Sequence, residues 1–144
     1  MSPPSVGVLV VGHGETASHL LQAAKGIAAP GALDAVVALD AGVGDSDAFS
    51  ASMCAALDDV DEGRGVFILV DLLGASPYQC GHREGKAHNA VVLSGLNLAM
   101  LLKLSSLDRN SATADELAQA CAASGQRAVC VTSKPAAPSS SADT

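Results

Sequence analysis

The stretch VLVVGHGETASHLLQAA, residues 8–24, contains the change of pattern that decides the fold. Its apolar beginning predicts a strand over residues 6–11, buried on both faces, because a nearly continuous run of valine and leucine is typical of the interior of a parallel sheet. From residue 15 to residue 28 the apolar side chains recur at helical spacing. A buried strand therefore passes into a helix through Gly12-His13-Gly14.

The rest of the sequence repeats this alternation, which predicts parallel strands with helices on both faces of the sheet. We expect a three-layer α/β/α fold with a mostly parallel sheet of four strands plus a C-terminal strand. Further strands are predicted over residues 33–39, 66–70, 90–93 and 126–131. Further helices are predicted from residue 45 or 46 to 61, from 76 to 86, from 97 to 104 and from a capping box at Thr113 to residue 123.

Composition limits the class of protein. The chain has 144 residues, of which 2% are aromatic, so its core consists of Val, Leu, Ile and Ala. We expect one domain over residues 1–131 and a disordered Pro/Ser/Ala tail over residues 132–144. Eight basic and fifteen acidic residues give a net charge of −7, which argues against a nucleic-acid partner or an anionic membrane surface.

Targeting and metal-binding signals are weak. The N-terminus has no basic segment before its short apolar run, and no apolar stretch reaches spanning length, so we expect a cytoplasmic protein without direct membrane insertion. The four cysteines have no CxxC spacing and are interpreted as small buried hydrophobic residues. The histidines have no zinc spacing. We therefore expect neither a metal nor a cofactor.

Polar residues collect where the predicted strands end, and ligands of open parallel sheets bind beyond these carboxyl ends. His13 stands between two glycines that leave room around its ring, and the following helix offers an amino end that favours an anion. Asp71 ends the strand 66–70 and can accept a hydrogen bond from one imidazole nitrogen, which leaves the other free as a nucleophile. The alternatives are a structural histidine and an aspartate that caps a turn.

A second anion-binding element follows Asp71. The segment Gly74-Ala75-Ser76-Pro77 enters a predicted helix and offers backbone donors for a phosphoryl group, to which Ser76 can add its hydroxyl. Ser76 also suits the N-cap, a role that does not exclude phosphoryl binding. The other histidines, His19, His82 and His88, lie away from the strand ends and are interpreted as surface or packing residues.

Three blocks of the sequence, VLVVGHG, GVFILVDLLGASPY and VVLSGLNLAMLLKL, resemble in order and spacing the mannose-type IIA component of the bacterial phosphotransferase system. The resemblance covers residues 6–131. It implies a phosphocarrier that accepts a phosphoryl group from the histidine phosphocarrier protein HPr and passes it to a IIB component for sugar uptake. It also implies an α/β homodimer in which the last strand is exchanged.

The resemblance assigns roles to individual residues. His13 matches the phosphorylated histidine, Asp71 its supporting aspartate, and Ser76 the serine of the turn; Gly14, Gly74 and Ala75 complete the expected phosphoryl-binding set. The sequence departs from the family pattern in two respects, because Leu72-Leu73 stand where an aromatic residue is frequent and Ala75 replaces the second glycine of the turn.

Other functions fit parts of the same pattern. A phosphotransfer subunit of dihydroxyacetone kinase has a similar domain, and the phosphorylated state can serve regulation. A tetrapyrrole metal chelatase has a similar histidine-containing opening, but it uses a second histidine at a strand end, and this sequence offers only Asp71 there. A non-catalytic interaction domain with a vestigial site is the remaining alternative.

Overall fold

The computed structural model describes residues 3–42, 46–72 and 83–133 of the chain. Within these ranges, the chain forms four strands, one 3₁₀-helix and four α-helices that lie wholly in the described residues. They are β1 (Gly7–Gly12), α1 (Thr16–Ile27), β2 (Val37–Asp40), α2 (Asp47–Val60), β3 (Val66–Val70), a 3₁₀-helix (Gly85–His88), β4 (Ala90–Ser94), α3 (Leu98–Leu104) and α4 (Ala114–Arg127).

The strands form a parallel sheet in the order β2-β1-β3-β4. β1 and β3 are central and fully buried, as their valine-rich sequences predict. Alternate side chains of these strands enter two cores, since successive strand residues point to opposite faces. One core lies beneath α1, α3 and α4, and the other lies beneath α2. The predicted three-layer α/β/α architecture with four parallel strands is confirmed.

The second strand is shorter than predicted. Residues 31–35 form turns, and the strand begins at Val37 rather than at Leu33. Leu33 and Val36 are nevertheless 2% and 4% exposed, and the Val36 amide donates to the Leu33 carbonyl at 3.1 Å. The apolar run at 33–36 therefore reflects burial of a turn against the core, which a sequence pattern cannot distinguish from a buried strand.

The predicted strand over residues 126–131 is wrong in its first part. Gln126 and Arg127 belong to α4, and Val129 to Val131 pair with no strand among the described residues of this chain. Tertiary contacts hold the last turn of α4 helical, because the Gly125 carbonyl accepts a hydrogen bond from Asn97 Nδ2 at 3.3 Å. The helix packs so closely there that a Cβ at Gly125 would lie 2.6 Å from Met100 Cε.

Some expectations lie partly or wholly outside the described residues. The helix predicted from Ser76 falls mostly in the undescribed range 73–82, and its described end is helical at residues 83–84 before the 3₁₀-helix. Most of the predicted tail, residues 134–144, is also undescribed. Of the cysteines that are described, Cys121 is buried as expected, whereas Cys54 and Cys130 are exposed. None of the described helices is long and apolar enough to span a bilayer.

Candidate active site

The central pair of strands brings His13 and Asp71 together. β1 and β3 run parallel in a register that pairs Val11 with Val70. The chain leaves both strands at the same level, so His13 and Asp71 meet at the carboxyl edge of the sheet, where parallel α/β folds bind ligands. This juxtaposition is the one that the sequence predicts from the two strand ends.

One oxygen of Asp71 holds His13 at two points. Oδ2 accepts the backbone N–H of His13 at 2.8 Å and lies 3.0 Å from Nδ1 of the same residue. Because both contacts come from one residue, they fix the imidazole ring relative to its own backbone. The His13 side chain is 40% exposed and that of Asp71 is 18% exposed. The ring is therefore held on its Asp71 side and remains partly accessible to a partner.

The charge on Asp71 determines which nitrogen of His13 carries the proton. Burial is the largest single influence and raises the pKa of Asp71, but the hydrogen bonds from the backbone and ring of His13 together outweigh it, and the pKa lies below its ordinary value. Asp71 is therefore ionised at neutral pH and can only accept hydrogen bonds. An ionised Asp71 favours the tautomer with its proton on Nδ1, in which the lone pair lies on Nε2.

Different structural constraints favour glycine at the two positions beside His13. A Cβ at Gly12 would lie 3.1 Å from Thr16 Cβ and 3.3 Å from Asp71 Oδ2, so a side chain there would press on the carboxylate that holds His13. Gly14 has a φ of +55° and open space around it. Its amide donates to the Gly42 carbonyl at 2.8 Å, which ties the turn after β1 to the end of β2.

The amino end of α1 is occupied differently from the sequence expectation. The Thr16 amide donates to the His13 carbonyl at 3.0 Å. Asp40, the last residue of β2, accepts the Ser18 amide at 3.0 Å and the Ser18 hydroxyl at 2.5 Å. Two of the first three helical amides are thus already bonded within the protein. Asp40 directly follows the strand predicted over residues 33–39, but its contact with Ser18 is not predicted from the sequence.

The remaining predicted residues are not brought to this site by described contacts. Gly74, Ala75, Ser76 and His82 lie outside the described residues. His19 is exposed and pairs with Glu15. His88 lies at the opposite edge of the sheet, before β4, where Nδ1 is 2.7 Å from Asp61 Oδ2 and Nε2 is 3.3 Å from Asp58 Oδ1. The hydrogen bond from His88 lowers the pKa of Asp61.

Metal ligation receives no support from the described side chains. No group of three or more His, Cys, Asp or Glu residues within residues 3–42, 46–72 and 83–133 is arranged to hold a metal ion. The residues brought together at the sheet edge are one imidazole and one carboxylate. This arrangement can orient and activate a histidine nucleophile.

Solved structures provide relatives over nearly the whole chain. A mannose/sorbose-specific IIA subunit of the phosphotransferase system from Enterococcus faecalis is 26% identical, with a TM-score of 0.75 over 96% of this chain and 100% of that chain. A phosphotransferase system component EIIA from Streptococcus agalactiae is 27% identical, with a TM-score of 0.70 over 88% of this chain and 96% of that one. A comparison with curated proteins gave no match.

The match to a family model is more decisive, because it rests on the sequence itself. Residues 7–122 match the family described as the PTS system fructose IIA component, EIIA-man. This range contains β1, β3 and the His13–Asp71 pair. Membership of this family carries a general phosphotransfer role in sugar uptake and favours the phosphocarrier interpretation over the chelatase one. The chain belongs to the mannose-type IIA family of the bacterial sugar phosphotransferase system.

Proposed function

We propose that the chain accepts a phosphoryl group from HPr on Nε2 of His13 and passes it to a IIB component during sugar uptake. The observation that carries this proposal is the 3.0 Å contact between His13 Nδ1 and Asp71 Oδ2. This contact favours the tautomer whose lone pair lies on Nε2, on a ring whose side chain is 40% exposed. An accessible nucleophile held in one orientation is what transfer between two proteins requires.

The proposed step exchanges one P–N bond for another. The Nε2 lone pair of His13 attacks the phosphorus of phospho-HPr, and the P–N bond to the donor histidine breaks as that nitrogen takes the electron pair. The proton stays on Nδ1, and the positive charge that develops on the His13 ring lies beside the Asp71 carboxylate. The stabilisation of developing charge by a group that is already in place lowers the barrier without solvent reorganisation. Transfer to IIB reverses these roles.

The phosphoryl group needs donors besides His13. We assign this task to the segment Gly74-Ala75-Ser76, through backbone amides and the Ser76 hydroxyl. Gly14 contributes space rather than a donor, because its amide is bonded to the Gly42 carbonyl and no atom lies within 4 Å of the position that a Cβ would take. Two of the first three amides of α1 are likewise used internally, which leaves the segment after β3 as the main phosphoryl receptor in this proposal.

The proposal includes a homodimer. β4 pairs with β3, and no other described strand pairs with its second edge. Val129 and Val131, which follow α4, are 77% and 98% exposed. Addition of this segment to a sheet edge of a second copy would cover both features. Light scattering should give a dimer for the wild type and a monomer for Val129→Asp/Val131→Asp, and a monomeric wild type would contradict this part of the proposal.

The phosphorylation step is tested by intact-mass measurement after incubation with phosphoenolpyruvate, enzyme I and HPr. We expect one acid-labile phosphoryl group on the wild type and none on His13→Ala. His19→Ala is the matched control, because it removes an exposed histidine of the same segment, and it should be phosphorylated normally. Phosphorylation of folded His13→Ala, or none on wild type tested with several HPr proteins, would contradict the proposal. Addition of a IIB component should then discharge the phosphoprotein.

A further inference from the structure

The first turn of α1 is held by a residue of a neighbouring strand rather than by its own N-cap. Glu15 stands at the N-cap position and makes no side-chain capping hydrogen bond; its carboxylate pairs instead with His19 at 3.3 Å. Asp40 accepts the Ser18 amide at 3.0 Å and the Ser18 hydroxyl at 2.5 Å. Asp40 thus performs the task of an N-cap side chain from the end of β2.

This contact is connected to His13 through short, described steps. Asp40 lies opposite Gly12 in the register of β1 and β2. The segments that follow these two residues are joined by the Gly14–Gly42 bridge. They are also joined by the Ala41 amide, which donates to the Gly12 carbonyl at 2.8 Å.

The helix side of the turn completes the frame around His13. The Thr16 amide donates a hydrogen bond to the His13 carbonyl. Thr16 belongs to the first turn of α1, which is the turn that Asp40 caps. Asp71 holds the amide and ring of His13 from β3. The residue that carries the nucleophile is therefore fixed on one side by β3 and on the other by α1.

We propose that Asp40 is a positioning residue for His13: by holding the first turn of α1 against the end of β2, it fixes the backbone that presents the ring to its partner. This inference rests on the proposed function of His13 as the phosphoryl acceptor. Asp40 touches no reacting atom in it. Loss of the contact lets the first turn of α1 fray, and with it the Thr16 bond to the His13 carbonyl.

Three substitutions separate positioning from loss of stability. Asp40→Ala removes both acceptors, whereas Asp40→Asn keeps an oxygen for the Ser18 amide. Thr113→Ala is the matched control, because Thr113 caps α4 through the Glu116 amide at 3.0 Å and its removal deletes a helix cap away from His13. Each alanine substitution removes a side chain that accepts a hydrogen bond from the first turn of a helix, so the two variants should be similarly destabilised.

The first readout is the rate of phosphorylation at saturating phospho-HPr, at a temperature where all variants are folded. We expect Asp40→Ala to be slowed by about 10- to 100-fold, since displacement of a reacting group by about 1 Å can cost about 100-fold. Asp40→Asn should recover most of the rate, and Thr113→Ala should match the wild type. Equal rates for Asp40→Ala and Thr113→Ala would overturn the proposal.

The second readout does not depend on HPr and so separates this inference from the proposed function. In ¹⁵N-histidine-labelled, unphosphorylated protein, the wild type and Thr113→Ala should show His13 with its proton on Nδ1. Asp40→Ala should show a mixture of the two tautomers, because the ring loses its fixed alignment with Asp71. An unchanged tautomer in Asp40→Ala would overturn the positioning role, even if no variant accepts a phosphoryl group.

Discussion

Replacement of Asp71 by asparagine removes the negative charge beside His13 and leaves the size of the side chain almost unchanged. Oδ2 of Asp71 is 3.0 Å from His13 Nδ1, and a hydrogen bond to an ionised group contributes about 1.5–3 kcal/mol against about 0.5–1.5 kcal/mol for a neutral one. Asp71→Asn therefore weakens the contact by about 1–2 kcal/mol as the ring gains positive charge. At about 1.36 kcal/mol for each tenfold change in rate, phosphorylation slows by about 5- to 30-fold.

The assay is the rate of phosphoryl transfer from phospho-HPr, followed by intact mass under single-turnover conditions. Asp61→Asn is a close control, because Asp61 Oδ2 makes the same kind of contact with His88 Nδ1, at 2.7 Å. That pair lies at the other end of a five-residue strand, a distance of about 16 Å at about 3.3 Å per residue. Wild-type rates for both variants would refute the role given to Asp71, and equal slowing of both would show that the effect is not local.

Other predictions concern packing and pH. Gly12→Ala places a Cβ 3.3 Å from Asp71 Oδ2 and should slow phosphorylation while the fold persists, as measured by transfer rate and circular dichroism. Gly7→Ala places a Cβ 2.3 Å from the Val60 carbonyl oxygen and should cost about 3 kcal/mol in urea unfolding, whereas Gly26→Ala, in open helical space, should stabilise by about 1 kcal/mol. The pKa of Asp71 lies below its ordinary value of 3.8, so its ionised form stabilises the fold above that pH. This contribution is lost as the pH falls through the lowered pKa. The difference in unfolding free energy between wild type and Asp71→Asn should therefore shrink as the pH falls through this range.

The parts of the fold that depend on local sequence could be predicted. The continuous apolar run of β3 gives that strand its bounds at Val66 and Val70. Side chains that cap helices mark the starts of two helices, at Ser46 and Thr113. The meeting of His13 and Asp71 follows from two strand ends in a parallel sheet. These features need only the period of the apolar residues and the chemistry of the positions beside them.

The errors arise where tertiary contacts decide. Leu33 and Val36 are apolar because they close the core beneath α1, although their backbone is a turn. The end of α4 remains helical because Gly125 packs against α3, a contact absent from any local pattern. The contact of Asp40 could not be predicted for the same reason, since its partner Ser18 precedes it by 22 positions and belongs to another element.

The central claim, that Asp71 holds Nδ1 so that Nε2 of His13 receives the phosphoryl group, is tested most directly by long-range ¹H–¹⁵N correlation of ¹⁵N-histidine-labelled protein before and after incubation with phosphoenolpyruvate, enzyme I and HPr. Before incubation, the His13 signals should report a proton on Nδ1. Afterwards they should report a phosphorus-bonded Nε2 and an Nδ1 that still carries its proton. A phosphoryl group on Nδ1, or on any residue other than His13, would contradict the account.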